Sequence, residues 1–152
     1  MKTNLHLASA ALLALALAAS TSSAMAANED GQGVAATLSI TVSGFATESG
    51  TLFLGVYDAQ SWSGGPSMRS ARVAIEGDAV VLSIDDLAPG TYGVKVFQDL
   101  DGDGRLGTSG MGIPTEPYAF SNNARNRFGP ARWDDAAFEV SAGDNAQSIS
   151  IR

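Results

Sequence analysis

The sequence predicts an all-β domain, a seven-stranded antiparallel β-sandwich. Three observations predict it. Short segments alternate apolar and polar residues at period two. Turn-forming residues separate many of them, at 47–50 (TESG), 76–78 (EGD), 88–90 (APG) and 142–145 (AGDN). Beyond the N-terminal leader, no stretch keeps a helical period over three turns, and 61–70 (SWSGGPSMRS) is too rich in Gly, Ser and Pro for one. Short half-buried strands of this kind, packed into about 110 residues, fit two antiparallel sheets face to face.

Each strand has its own signal. In TLSITVSGF, Leu38, Ile40 and Val42 share one face, and Ser39, Thr41 and Ser43 the other. In TLFLGVY the shared face is Leu52, Leu54 and Val56. ARVAIE alternates Ala71, Val73 and Ile75 with Arg72, Ala74 and Glu76, and VVLSI sets Val80, Leu82 and Ile84 on one side. TYGVKVF alternates Tyr92, Val94 and Val96 with Gly93, Lys95 and Phe97. Phe138 with Val140 makes a sixth strand, and Ile149 with Ile151 a seventh.

The first 26 residues read differently. Lys2 supplies a positive start, residues 7–19 are nearly all Ala and Leu, and Ala24-Met25-Ala26 fits the small-x-small rule for signal-peptide cleavage. The apolar run is short for a membrane span. The expected organisation is a signal peptide at 1–26 cut after Ala26, a flexible leader at 27–34 and one domain at 35–152. The expected location is periplasmic or secreted, with no transmembrane segment in the mature chain.

Charge and composition exclude several function classes. The formal net charge is −7, with 9 basic and 16 acidic residues. Cleavage would remove Lys2 and make the mature chain one unit more negative. Nucleic acid and anionic membrane surfaces require a basic face, so neither is an expected partner. Cysteine is absent, and the single histidine, His6, lies in the leader. The mature chain therefore has no Ser-His or Cys-His pair and no imidazole or thiolate for zinc. Neither haem nor a nucleotide is expected. Hard oxygen ligands remain, and these favour calcium or magnesium.

About 37 residues, 99–135, separate the fifth strand from the sixth. A connection this long is usually functional or disordered. Ile113, Tyr118, Phe120, Phe128 and Trp133 give it too much apolar surface for a solvated linker, so it is expected to be an ordered excursion packed on the domain. It opens with QDLDGDGRLG. Asp99, Asp101 and Asp103 take positions one, three and five of a calcium-loop pattern. Gly104 takes position six, and Arg105 can offer its backbone carbonyl at seven. Position twelve is Gly110 instead of a bidentate Glu, so a distant carboxylate such as Glu116, Asp134 or Asp135 would complete the shell. The run admits two readings, a calcium site or an acidic solvated turn, because Asp and Gly are also ordinary turn residues.

Two resemblances follow. Leu87-Ala88-Pro89-Gly90-Thr91-Tyr92 resembles the LxPGxY turn that enters a central strand in transthyretin-like modules. The sandwich expected is therefore immunoglobulin-like or transthyretin-like. The second resemblance spans Leu38 to the C-terminus. It rests on YGVKVFQD at 92–99, the D-x-D-G-D-G run, GIP at 112–114, EPYAFSNNA at 116–124, RFGP at 127–130 and DAAF at 135–138. These blocks resemble the bacterial domain-of-unknown-function family numbered 2141. That resemblance implies an exported sandwich domain and no assigned reaction.

Asn122, Asn123, Arg125 and Arg127 with Tyr118 and Trp133 form a candidate patch for a peptide or a carbohydrate, since aromatic faces and planar hydrogen-bonding groups suit such ligands. The competing reading gives the asparagines to the loop's own backbone. The function expected is a non-catalytic binding or accessory module of the cell envelope, possible partners being an envelope component, a peptide or a carbohydrate. A carboxylate-dependent glycoside hydrolase pairing Glu116 with Asp134 or Asp135 is one alternative. An envelope structural protein is another.

Overall fold

The structure is a computed structural model that describes residues 34–151. The expected signal peptide and nearly all of the flexible leader lie outside the described residues. Among those described, no helix is long and apolar enough to cross a membrane.

The chain is nearly all β. The strands are β1 (Ala36–Ser43), β2 (Thr51–Tyr57), β3 (Arg69–Ala74), β4 (Ala79–Leu87), β5 (Gly90–Asp99), β6 (Tyr118–Phe120), β7 (Phe138–Val140) and β8 (Gly143–Ser150). A 3-10 turn spans Ser121–Asn123, and α1 (Trp133–Ala136) is a single helical turn. One sheet has three strands in the order β4-β1-β8. The other runs β3-β2-β5-β6, with β7 also paired to β5.

The period-two faces fall where alternation places them. Leu38, Ile40, Val42, Leu52, Val56 and Val94 are fully buried, and residues of both sheets share one core cluster. Each such aliphatic side chain contributes about 1.5–3 kcal/mol by leaving water. Gln98 continues the core face of β5 beyond Val96 and is itself fully buried. Its Oε1 accepts the Ala46 N–H at 2.9 Å, and its Nε2 donates to the Thr47 and Ser49 carbonyls, each at 2.8 Å. One amide side chain thus satisfies the turn between β1 and β2, which is why a polar residue is tolerated there.

The structure corrects the sequence reading in three places. There are eight strands where alternation predicts seven, because β6 lies inside the long connection and is only three residues long. The sheets are not wholly antiparallel, because β1 and β8 pair in parallel from Ala36↔Gly143 to Ser43↔Ser150. Alternation is blind to strand direction. Finally, residues 143–145 of the AGDN turn belong to β8. The Asn145 side chain makes the turn's hydrogen bonds, accepting the Ser141 N–H at 2.9 Å and donating to the Ser141 and Gly143 carbonyls.

Past the Asp-rich loop, the excursion completes the second sheet. β6 pairs with 95–97 of β5, and β7 pairs with 90–92. Val94 lies between the two ladders. Its N–H donates to Ser121 Oγ at 2.9 Å, and the same hydroxyl donates to the Ala136 carbonyl at 2.5 Å. Ser121 is fully buried. A single hydroxyl therefore takes the place of a missing strand residue, receiving one backbone group and satisfying another.

Replacing Ser121 by alanine leaves a buried N–H and a buried carbonyl unpaired. The expected loss of stability is about 2–4 kcal/mol, read from urea unfolding. A change below about 0.5 kcal/mol would show that the excursion does not depend on this hydroxyl.

Candidate functional site

The Asp-rich loop leaves β5 at Asp99, which is buried. Its two carboxylate oxygens accept the N–H groups of Gly102 (2.7 Å) and Gly104 (2.9 Å). Asp101 accepts from Asp103 at 3.1 Å, and Asp103 from Arg105 at 2.7 Å. Gly102 and Gly104 hold φ near +79° and +76°, which L side chains adopt rarely. The alternation of Asp and Gly thus builds successive side-chain-closed turns. It also draws oxygens of Asp99, Asp101 and Asp103 within 4.8 Å of one another.

Glu116 does not join that group. Its Oε1 accepts the Leu100 N–H at 2.7 Å and its Oε2 the Gly107 N–H at 2.8 Å. It is a buried clamp holding the entry and the exit of the loop together through charge-assisted bonds. Three hard carboxylates at this spacing fit calcium or magnesium in donor type, each keeping lone pairs beyond those its amides use. The fit is partial, because among the described residues no fourth carboxylate or imidazole gathers with them.

The polar-aromatic residues do not form one patch. Asn122 and Asn123 adopt left-handed φ of 56° and 51°. Asn122 Nδ2 donates to the Ala137 carbonyl at 2.9 Å, and its Oδ1 accepts from Gln147 of β8 at 3.3 Å. Asn123 Oδ1 accepts the Ser150 N–H at 2.8 Å. Asn122 thus serves backbone carbonyls at 135 and 137, and Asn123 a backbone N–H of β8. Tyr118, Asn123 and Arg125 line a groove of about 240 Å³, and Arg127 is exposed. Trp133 lies in a different groove.

That other groove stands on the outer face of the five-stranded sheet. Residues 93, 95 and 97 of β5 face away from the main core, as do 53, 55 and 57 of β2 opposite them. Gly93 pairs with Tyr57 and Gly55 with Lys95. A Cβ on Gly93 would sit 2.7 Å from the Trp62 ring and 3.1 Å from the Trp133 ring. The glycine is what lets two indoles lie close over the sheet. Asp58 holds the turn that presents Trp62, its Oδ1 accepting both the N–H and the hydroxyl of Ser61 at 2.8 Å. These Ser61 bonds hold the Asp58 carboxyl below the usual aspartate range. Trp62 is buried, and its Nε1 donates to the Ala131 carbonyl at 2.9 Å, tying it to the excursion. Trp62 and Trp133 meet edge to face at 5.7 Å.

Lys95 rises between these rings. Its Nζ donates to the Trp62 carbonyl at 2.6 Å and lies 4.4 Å from the Tyr57 ring centroid and 4.6 Å from that of Trp62. Partial burial pushes its ammonium below the usual lysine range. The carbonyl and the two ring faces act in the opposite sense, since each favours the charged form. The groove measures about 580 Å³ and is lined by Trp62, Lys95, Pro130, Arg132 and Trp133 among others. Of these, the sequence reading selected Trp133 alone. Gly55 and Gly93 inside strands were the signal available for the rest.

Residues 40–149 match the model of a family described as "Uncharacterized protein conserved in bacteria (DUF2141)". The chain belongs to this family. No curated protein and no solved structure matches it. The DUF2141 match takes in the whole excursion, including Glu116, Ser121 and both walls of the tryptophan groove.

Two measurements separate the clamp from the carboxylate triad. Glu116→Gln should cost about 1.5–3 kcal/mol in denaturant unfolding with or without calcium, because it turns a buried acceptor into a donor facing an N–H. Calcium at about 1 mM should stabilise the native chain by about 0.4–1.4 kcal/mol, reversed by chelator and lost in the double variant Asp101→Asn, Asp103→Asn. No thermal shift at about 10 mM calcium would leave the aspartates as turn residues only.

Proposed function

We propose that this DUF2141 chain is an exported, non-catalytic binding or accessory module of the cell envelope. In that reading the two sheets form an immunoglobulin-like or transthyretin-like sandwich, and calcium at Asp99, Asp101 and Asp103 stabilises the loop. The observation that carries the binding role is the groove framed by Trp62 and Trp133 over Lys95. It has the size of a small-ligand site, flat aromatic walls and a fixed polar group. The leader at 1–26, with its positive start, apolar run and small-x-small end, supports export.

The non-catalytic reading draws support from the carboxylates. Both oxygens of Glu116 are occupied by backbone N–H groups of the Asp-rich loop. Asp134 and Asp135 sit in α1, beside the tryptophan groove. A retaining or inverting glycosidase needs two carboxyl groups facing one sugar across a gap of about 5–9.5 Å. Glu116 instead clamps the Asp-rich loop, while Asp134 and Asp135 belong to α1.

The test is to titrate purified protein with soluble oligosaccharides and peptides released from bacterial envelopes, following tryptophan fluorescence, and to analyse the ligands afterwards. Saturable change with chemically intact ligand is expected. Cleavage products that disappear in Glu116→Gln would overturn the reading in favour of the hydrolase.

A further inference from the structure

The charged residues that line the tryptophan groove are basic, with Asp134 and Asp135 following Trp133 in α1 outside that lining. Acidic residues outnumber basic ones 16 to 9, yet the lining of this groove includes Lys95 and Arg132 and no Asp or Glu. Among the described residues, no carboxylate lines the groove beside Lys95. The lysine is held by a carbonyl and two aromatic faces, so its charge is positioned without being cancelled. An ammonium has three N–H donors, and the Trp62 carbonyl takes one of them. Arg132 is exposed at the rim, immediately before Trp133, and contributes a second cation with planar donors.

The walls add a shape requirement. Trp62 is fixed by its bond to Ala131, and Trp133 is only half-buried, so an indole surface remains open to the groove. An indole face packs against a ring that offers an apolar face, an aromatic plane or the C–H side of a sugar. The groove, at about 580 Å³, exceeds the 240 Å³ groove beside Arg125. It falls within the range of about 300–1,000 Å³ typical of small-ligand sites.

We infer that this groove binds an anionic ligand whose carboxylate is carried on a ring with an apolar face, the carboxylate meeting Lys95 and Arg132 and the ring face lying against Trp133. The inference rests on the binding-module reading and specifies the ligand class of that same site. Two kinds of compound share this chemistry, an acidic sugar such as a uronic acid and an aromatic acid.

The chain's two tryptophans both line the groove, so intrinsic fluorescence reports on it directly. The full chain is titrated with trigalacturonate, with its fully methyl-esterified form and with 4-hydroxybenzoate. Saturable quenching by trigalacturonate or by 4-hydroxybenzoate, absent with the ester, supports the inference, and the arm that responds identifies the source. Lys95→Met and Arg132→Gln should each weaken that binding about tenfold or more. Arg132 is exposed, so its variant keeps the test valid even where Lys95→Met fails to fold. Equal binding of acid and ester overturns the inference and leaves the binding-module reading standing. So does unchanged affinity in Arg132→Gln together with a folded Lys95→Met. No quenching in any arm overturns the inference, while the envelope-fragment titration still decides the broader reading on its own.

Discussion

The hydroxyl of Ser121 is the contact on which the second half of this chain depends. It stands beside β5 where β6 has ended and β7 has not begun, joining the Val94 N–H to the Ala136 carbonyl. Without it, two short strands of three residues each would flank a gap in the ladder. Strands this short have little stability of their own, so they need the framework of a longer partner. Ser121 registers both against β5. In doing so it sets where the chain between them must run, and hence where Ala131 and Trp133 come to rest.

The five-stranded sheet is thereby used on both faces. One face of β2 and β5 supplies Leu52, Leu54, Val56, Val94 and Val96 to the main core. The other carries a smaller cluster in which Trp62, Phe120, Ala131 and Ala136 are buried. Gly55 and Gly93 lower the sheet surface under this second cluster, and the excursion and the Trp62 turn meet over it through the Trp62–Ala131 bond. Lys95 occupies a position where alternation forbids it from entering the main core. The aromatic cover then makes that outward position half-buried, with its charge held by ring faces and one carbonyl.

The inward faces of β1, β2 and β5 were plain in the sequence, because period two is a property of the backbone and hydrophobic burial follows it. The order of the long excursion was legible from its aromatic content. β6 was not, since a three-residue strand leaves no periodic signal. The parallel pairing of β8 was not, since strand direction is set by tertiary packing. Glu116 was legible as a carboxylate tied to the Asp-rich loop, but its role was not: nothing in spacing tells a ligand oxygen from one that accepts amide hydrogens. Lys95 and Trp62 carry no site signal in the sequence, for opposite reasons. An outward lysine reads as a solvated face, and a tryptophan among Ser, Gly and Pro reads as loop. Gly55, paired with Lys95, and Gly93, which lies beneath the Trp62 ring, were the clue.

The central claim is that the excursion is an integral part of the sheet, joined to it at Ser121. Native-state hydrogen exchange followed amide by amide tests it most directly. The account predicts that the Val94 amide, and the Ala137 amide bonded to the Trp133 carbonyl, exchange only with unfolding of the five-stranded sheet, as slowly as the Gln98 amide bonded to Pro117. Fast exchange at Val94 and Ala137 while the strand amides of β2 stay protected would contradict it. In that case the excursion would open independently, and the groove would not be a permanent feature of the fold.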